Sequence, residues 1–191
     1  MKNQIIIATF FFTFNCFAGM NTEDAPISEQ PTSHPVIVIH GGAGWSQGAS
    51  DEKQHAIKSG LKKALDTGFS ILESGGSSLD AVEAAIVVLE DNPVFNAGRG
   101  SVYTAEEKQE MDASIMSGID QDAGAVASVS RVKNPIKLAR YIMEHTEHVM
   151  MAGPGAEKIA EQGRLELVDP SYFYSENRLK GVKKQKAKKN S

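Results

Sequence analysis

Residues 35–44, Pro-Val-Ile-Val-Ile-His-Gly-Gly-Ala-Gly, combine a short apolar run with a glycine-rich turn. The run from Val36 to Ile39 is β-branched and continuously apolar, which is typical of a strand buried on both faces. The three glycines predict a tight turn, and Ser50 then provides an N-cap for a helix. A strand, a turn and a helix in this order predict a layered domain that begins at Pro35.

Helical and strand-like patterns alternate along the rest of the domain. Apolar residues recur at helical spacing between Ile57 and Leu72, and Ser77 opens a second helix that is apolar almost all round. The remaining predicted elements are strands at 112–116 and 124–132, a helix opened by Pro135 after Asn134 as its cap, a strand at 149–151 and a helix at 153–162. This order predicts an α/β or α+β layered domain over residues 35–175.

The composition of the 191 residues is that of an ordinary globular protein, and the formal net charge is -4. Phosphate backbones are bound by basic surfaces, so nucleic acid is not the expected partner. Lysines crowd residues 176–191, which we expect to be a disordered tail because they offer little apolar area to bury. The alternative is a basic tail that binds nucleic acid or anionic lipid.

The N-terminus has the pattern of a secretory signal peptide. Lys2 precedes an apolar run that is too short to span a membrane, and small residues lead to a cleavage site after Ala18. We expect a signal peptide at 1–18, a flexible linker at 19–34, and a secreted or periplasmic protein without a membrane anchor. The alternative is a buried N-terminal strand or helix. Cys16 is the single cysteine, so the mature chain would contain neither disulfides nor thiolate metal sites.

The turn from His40 to Gly44 is the first candidate site. Glycine allows backbone N–H groups to approach an anion, so the turn could cradle a phosphate. Its glycine spacing matches neither a dinucleotide fingerprint nor a Walker loop. The other interpretations are a turn beside an acyl-transfer centre and an ordinary tight turn.

The loop Asn92-Pro93-Val94-Phe95-Asn96-Ala97-Gly98-Arg99-Gly100 is the second candidate. The Asn96 side chain could donate a hydrogen bond to a developing oxyanion. Successive carbonyl groups of the loop could instead surround a hard cation. The structural interpretation is that Asn96 caps its own turn.

Two further clusters favour a structural interpretation. Asp112, Asp120 and Asp122 could serve acid–base chemistry, but such residues more often form turns. His145 and His148 could bind a metal, but no third ligand with clear spacing accompanies them.

Taken together, these segments resemble the α part of the plant-type L-asparaginases, also called isoaspartyl peptidases. The resemblance extends from about Pro35 to about Tyr174. The segments that carry it are 38–44, 89–100, 112–116, 123–127, 134–140 and 148–151.

This resemblance implies a threonine hydrolase of the N-terminal-nucleophile type, with a four-layer αββα sandwich to which this chain contributes the α-subunit half. Members of the family cut themselves before a threonine, whose hydroxyl becomes the nucleophile and whose α-amine becomes the base. The implied substrates are L-asparagine and β-aspartyl dipeptides. The implied partner is a β subunit in an (αβ)2 heterotetramer.

The resemblance also implies roles for particular residues. Asn96 corresponds to the asparagine that supports the oxyanion, and His40, Gly41 and Gly42 correspond to the turn beside the nucleophile. No organic cofactor is implied. A structural sodium ion is implied, held by the main-chain carbonyls of Leu89, Glu90, Asn92, Phe95, Ala97 and Arg99.

The sequence departs from the family at the self-cleavage motif, Gly-Thr-Val/Ile-Gly-Ala-Val-Ala, which it does not contain. We therefore expect a subunit or truncated precursor that is active only with a separate β chain. The alternatives are an inactive remnant or interaction module with the same half-fold, and a nucleotide binder that uses the His40–Gly44 turn.

Overall fold

The computed structural model describes residues 34–42 and 48–189. The predicted signal peptide, nearly all of the predicted linker, and Ala43 and Gly44 of the glycine turn lie outside these residues. Residues 35–42 and 48–189 belong to one compact unit. Its regular elements are α1 (Asp51–Glu73), α2 (Ser78–Glu90), β1 (Met111–Met116), β2 (Ala123–Val129), α3 (Pro135–His145), β3 (Met150–Ala152), α4 (Gly153–Gln162) and α5 (Glu176–Lys189), with short 3₁₀ turns at Gly98–Gly100 and Pro170–Phe173.

Helices α1 and α2 pack closely against each other, and each begins directly after its predicted N-cap residue. The Ser50 hydroxyl accepts a hydrogen bond from the Lys53 amide, and Ser77 makes a capping box with Asp80. Gly68 permits the close approach, because a Cβ there would lie 2.8 Å from the carbonyl oxygen of Ala81. The two predicted helices are confirmed.

The sheet has three strands in the order β1-β2-β3. Strands β1 and β2 pair antiparallel, with a register shift between Met111 and Ala113. Strands β2 and β3 pair parallel and are connected by α3. The predicted strands near 112–116, 124–132 and 149–151 are confirmed as β1, β2 and β3, and the content of the fold is the predicted mixture of helix and strand.

One face of the sheet is covered by α3 and α4. Gly124 brings α3 onto β2, because a Cβ at this position would lie 2.8 Å from the Met143 Cβ. The buried core between these layers contains Met111, Ile115, Val126, Val129, Val132, Ile136, Leu138, Ala139, Ile142, Ala156, Ala160 and Phe173. Glu157 on α4 is buried here as well, and its Oε1 accepts hydrogen bonds from the amides of Ser130 and Arg131 at 2.7 and 3.0 Å.

The opposite face of the sheet has no layer over it among the described residues. Ser114 is paired with Ala125 in the register, and Ala125 with Met150, so these side chains share that face. Met116 and Met150 are 63% and 60% exposed. The face is therefore open and largely apolar.

The segment from Val36 to Ile39 has no regular secondary structure and pairs with no strand in the described chain, which differs from the predicted buried strand. Val36 and Val38 are 81% and 87% exposed, whereas Ile39 packs against the cluster of Ile57, Leu89 and Phe95. The sequence pattern is that of a strand, but a strand needs a neighbour to supply its hydrogen bonds.

The lysine-rich segment is helical over Glu176–Lys189, where the composition predicts disorder. Glu176 pairs with Lys180 one turn away at 2.7 Å, and Glu107 pairs with Lys186 at 3.0 Å. Ordering the segment costs conformational entropy, and its few apolar side chains bury too little area to outweigh that cost. The ionic contacts offset part of it. No helix within the described ranges has the length and apolar character needed to cross a membrane.

Candidate active site

The loop between α2 and β1 folds tightly on itself and on α1. Phe95 is buried, and a Cβ at Gly60 of α1 would lie 2.7 Å from its ring. Gly98 has φ 46°, and a side chain there would collide with the Glu90 carbonyl. Glycine at position 98 therefore lets the loop return to the end of α2.

The Asn96 side chain is held in one orientation by its own loop. Its Oδ1 accepts a hydrogen bond of 2.9 Å from the Val102 amide. Because the amide of Val102 can only donate, the oxygen of Asn96 must face it and Nδ2 points the other way. Asn96 is exposed, and Nδ2 has no acceptor among the described residues, so it remains available as a donor.

The glycine turn lies directly beside this loop. A Cβ at Gly41 would lie 2.9 Å from Leu61 Cδ2 and 3.1 Å from the Phe95 ring. Gly42 has φ 98°, which favours glycine, and its amide donates to His40 Nδ1 at 3.2 Å. This hydrogen bond places the proton of a neutral His40 ring on Nε2.

One cavity of about 240 Å³ unites the two predicted segments. Asn96, Gly41 and Gly42 all line it, whereas His40 of the predicted turn is not among its lining residues. Lys53 and Arg178 complete its polar lining, with Val94, Phe95 and Val102 as the remainder. Neither basic residue was predicted for the site, because α1 and α5 carry no local signal that connects them to Asn96.

A second cavity, of about 250 Å³, is also lined by Asn96 and by the carboxyl-bearing residues Glu90, Glu110 and Asp112. The Glu90 side chain is only 3% exposed, and burial raises its pKa to about 8. Its Oε1 accepts from the Ile136 amide, whereas Oε2 has no partner among the described residues. The sequence analysis considered only the carbonyl of Glu90, and its buried carboxyl group was missed.

The predicted carbonyl ligands lie in the last residues of α2 and in the loop that follows it. The amides of Asn92, Phe95 and Gly100 donate to the carbonyls of Leu89, Asn92 and Ala97. Gly100 has no room for a side chain because the carbonyl oxygens of Phe95 and Pro93 lie where its Cβ would be. These are neutral, hard oxygen donors in a compact loop, a set that suits a hard cation of low charge.

The acidic candidates have structural roles. Asp112 Oδ1 accepts a hydrogen bond of 2.8 Å from the Ser128 amide at the sheet irregularity, where Ser128 has φ 52°. Asp120 accepts from the Asp122 amide within a turn, and a hydrogen bond with Ser117 lowers the pKa of Asp120. No group of three or more His, Cys, Asp or Glu able to hold a metal occurs within 34–42 and 48–189.

His145 and His148 are likewise accounted for by the helix end. The His145 ring stacks on Tyr141 with a centroid distance of 4.3 Å, and its Nδ1 lies 3.2 Å from the Tyr141 carbonyl. His148 donates its amide to the Thr146 hydroxyl. The structural interpretation of this pair agrees with these contacts.

Comparison with known sequences identifies the family to which this chain belongs. Residues 33–191 match the family model described as asparaginase, which covers most of the chain. This chain belongs to the asparaginase family. The fold described above is therefore that of a member of this family, as the sequence resemblance implied.

Similar proteins are found in organisms that are only distantly related to one another. It is 44% identical over 154 residues to the isoaspartyl peptidase/L-asparaginase of Mus musculus, with 81% of this chain and 47% of the relative covered. It is 41% identical over 156 residues to the protein of the same name from Homo sapiens, covering 82% and 50%. It is 50% identical over 136 residues to the plant-type L-asparaginase of Pyrococcus furiosus, covering 71% and 44%. The chain described here thus spans about half the length of these relatives.

Proposed function

We propose that the asparaginase chain is the α part of an exported isoaspartyl peptidase/L-asparaginase that hydrolyses L-asparagine and β-aspartyl dipeptides. The observation that carries the proposal is Asn96: its oxygen is fixed by Val102, its Nδ2 has no acceptor among the described residues, and the residue lines a cavity together with Gly41 and Gly42. A preoriented amide donor of this kind stabilises an oxyanion without reorganising during the reaction.

The nucleophile in this proposal is the N-terminal threonine of a β polypeptide. The hydroxyl oxygen attacks the side-chain carbonyl carbon of the substrate while the threonine α-amine takes the hydroxyl proton. Collapse of the tetrahedral intermediate expels ammonia or the amino group of the second residue, which receives that proton. Water then cleaves the acyl-enzyme ester and releases aspartate. Asn96 Nδ2 donates to the carbonyl oxygen while that oxygen carries negative charge, in the tetrahedral intermediates that precede and follow the acyl-enzyme ester.

The proposed four-layer αββα sandwich and (αβ)2 heterotetramer are supported by the surfaces that the described residues leave uncovered. The face with Ser114, Ala125 and Met150 is open, and its small side chains allow another sheet to approach closely. The segment 36–39 exposes two valines, and its backbone groups pair with no strand within the described residues. A β polypeptide would supply both the second sheet and the missing neighbour.

A structural sodium ion is proposed for the loop between α2 and β1. Leu89, Glu90, Asn92, Phe95, Ala97 and Arg99 would hold it through their main-chain carbonyls. The ion would stiffen the loop that carries Asn96 and takes no part in bond breaking. The crowding of carbonyls around Gly98 and Gly100 supports this assignment. Export by the signal peptide at 1–18 belongs to the same proposal and rests on the sequence alone.

Reconstitution tests the proposed function. The full chain is co-expressed with an asparaginase-family β polypeptide that begins at threonine, and the purified complex is assayed for ammonia from L-asparagine and for aspartate from a β-aspartyl dipeptide. A β polypeptide with alanine in place of that threonine is the matched control. We expect turnover with threonine only.

Two other outcomes are informative. A stable complex that contains threonine but turns over neither substrate supports the alternative, an inactive interaction module with the same half-fold. Failure to form any complex contradicts the proposed partner.

A further inference from the structure

Helix α5 concentrates the positive charge of the chain. It contains seven basic residues and one acidic residue, Glu176, so its formal charge is +6. The whole chain has a formal net charge of -4, which leaves -10 for the residues outside α5. The composition predicts a disordered tail here, but the segment is a helix, and a helix fixes the side toward which each lysine points.

One side of α5, its inner side, is attached to the rest of the chain. Leu179, Val182 and Lys186 follow one another at intervals of three and four residues, so they share this side. Leu179 and Val182 are half-buried. Lys186 donates to Glu107 Oε1 at 3.0 Å. These contacts determine which side of the helix is left for solvent.

The outer side of α5 carries a row of lysines. Lys180, Lys184 and Lys188 are four residues apart, and all three are exposed. Lys184 lies about 200° around the helix axis from Val182, and the row spans about 12 Å along the axis. Lys180 pairs with Glu176 at 2.7 Å, whereas Lys184 has no acidic partner in the part of the chain that the structure describes.

An exposed row of ammonium groups favours an anionic surface as its partner. The ammonium group of lysine is a compact charge on a flexible stem, so it requires no fixed geometry from the partner. The acidic remainder of the chain lies behind the inner side of α5, at least the diameter of the helix, about 10 Å, away. Charges are largely screened beyond about 8 Å at physiological ionic strength. The net negative charge of the chain therefore does not prevent such a contact.

The shape and composition of the outer side favour lipid headgroups over nucleic acid. A helix that reads DNA enters the major groove, which α5 cannot do while its inner side is attached. The outer positions, Asn177, Lys180, Gly181, Lys184 and Lys188, provide neither an arginine nor an aromatic side chain to contact bases. Anionic headgroups form a plane that a straight row of charges can touch along its whole length.

We propose that the outer lysine row of α5, Lys180, Lys184 and Lys188, binds the anionic headgroups of a lipid surface and holds the chain there reversibly. The contact is peripheral, because the apolar residues Leu179 and Val182 lie on the attached side and do not enter the bilayer. None of the three lysines lines the Asn96 cavity. The inference therefore goes beyond the proposed function, and its test requires no turnover.

The test is co-sedimentation with lipid vesicles. The chain used begins at Gly19, as expected after signal cleavage, because the apolar run before that residue could bind vesicles by itself. It retains the whole compact unit of residues 35–191. Vesicles of phosphatidylcholine alone are compared with vesicles that also contain phosphatidylglycerol. We expect binding to the anionic vesicles only, and we expect added salt to weaken it.

Removal of the row should abolish most of this affinity. Each lysine close to anionic headgroups contributes about fivefold, so replacing all three by glutamine should weaken binding about 100-fold. Glutamine retains a high helix propensity, which preserves α5. The matched control replaces three exposed lysines of α1 by glutamine and so changes the net charge equally. These are Lys58, Lys62 and Lys63, and we expect the control to bind like wild type.

An exchange of two neighbouring residues tests the row itself rather than the number of charges. The double variant Lys184→Gln with Gln185→Lys has the composition of wild type, but its lysine lies about 100° farther around the helix. We expect it to bind anionic vesicles about fivefold more weakly, like the single variant Lys184→Gln. Affinity equal to that of wild type would show that the arrangement of the lysines has no role, which overturns the proposed row.

Three further outcomes overturn the inference. They are the absence of binding to anionic vesicles, equal binding to neutral vesicles, and an equal loss of affinity in the α1 control. Fluorescence anisotropy with duplex DNA examines the other polyanion. Binding to DNA without binding to anionic vesicles assigns the row to a phosphate backbone and contradicts the lipid assignment.

Discussion

The carboxyl oxygen Oε1 of Glu90 accepts a hydrogen bond of 3.0 Å from the backbone amide of Ile136. This contact joins the last residue of α2 to the first turn of α3. It satisfies an amide that has no partner within its own helix. It also connects the loop that carries Asn96 to the helical layer over the sheet.

Substitution of Glu90 separates its hydrogen bond from its ionisable carboxyl group. Glu90→Ala leaves the buried Ile136 amide unsatisfied, and we expect a loss of about 2–3 kcal/mol in the free energy of unfolding. Glu90→Gln keeps an oxygen acceptor and should cost much less. Denaturant unfolding measures both values. Equal losses in the two variants would show that the hydrogen bond is not the stabilising feature.

Glu157 should be among the most sensitive polar positions of the domain. Its Oε1 accepts from the amides of Ser130 and Arg131, so Glu157→Ala leaves two donors without this partner. We expect a loss of about 3 kcal/mol in the free energy of unfolding. Glu161→Ala is the control, because Glu161 lies on the same helix as Glu157 and makes only an exposed ion pair with Arg131. This substitution should lower the free energy of unfolding by less than about 1 kcal/mol.

Gly124→Ala tests the close contact between β2 and α3. The added methyl group would meet the backbone of Ala139 and Met143, which cannot move independently of the helix. We expect a loss of about 2 kcal/mol or more. Gly118→Ala is the matched control, because nothing lies within 4 Å of a Cβ there. Thermal unfolding of both variants is the measurement, and similar melting temperatures would contradict this packing.

Asp80 gives the chain a predictable response to acid. Hydrogen bonds with Ser77 and then Arg140 lower the pKa of Asp80 below its ordinary 3.8. Its stabilising contribution is therefore complete above the unfolded-state pKa and is lost as the pH falls through the lowered value. Asp80→Asn should cost about 1 kcal/mol at neutral pH. The difference from wild type should disappear well below pH 3.8. Unfolding midpoints across this range are the measurement, and a constant difference would contradict the assignment.

Asn96 can be tested without disturbing its own loop. Asn96→Asp retains an oxygen for the Val102 amide but removes the Nδ2 donor, whereas Asn96→Ala removes both. If Nδ2 stabilises the oxyanion, each variant should lower kcat of the reconstituted enzyme about 100-fold or more. KM should change little, because the interaction strengthens in the transition state. A fully active Asn96→Asp enzyme would exclude Nδ2 from that role.

The helices were predictable because their signals are local. Apolar spacing, the Ser50 and Ser77 caps and the glycines after α1 lie within a few residues of the features they determine. Asn134 shows the limit of such signals. It stands at the predicted N-cap of α3, but its side chain makes no capping bond and Nδ2 donates to Asp91 instead. The acceptor at that helix start comes from Glu90, 46 residues earlier.

The differences from prediction have the same origin. Val36 to Ile39 has the composition of a strand, but pairing depends on a neighbour that no local pattern specifies. The helix α5 is poor in apolar residues, and the carboxylate that fixes its far end, Glu107, is 79 residues from Lys186. Asn96, Gly41 and Gly42 line one cavity, but its basic residues Lys53 and Arg178 lie on α1 and α5, where no local pattern connects them with that loop.

The two exposed methionines on the open side of the sheet can be oxidised from solution. Thioethers at Met116 and Met150 are accessible to peroxide, whereas Met111 in the core is 4% exposed. Mass spectrometry of sulfoxides would therefore record, residue by residue, whether this side is shielded. Met111 provides an internal reference within the same strand as Met116, so the footprint needs no label and no engineered probe.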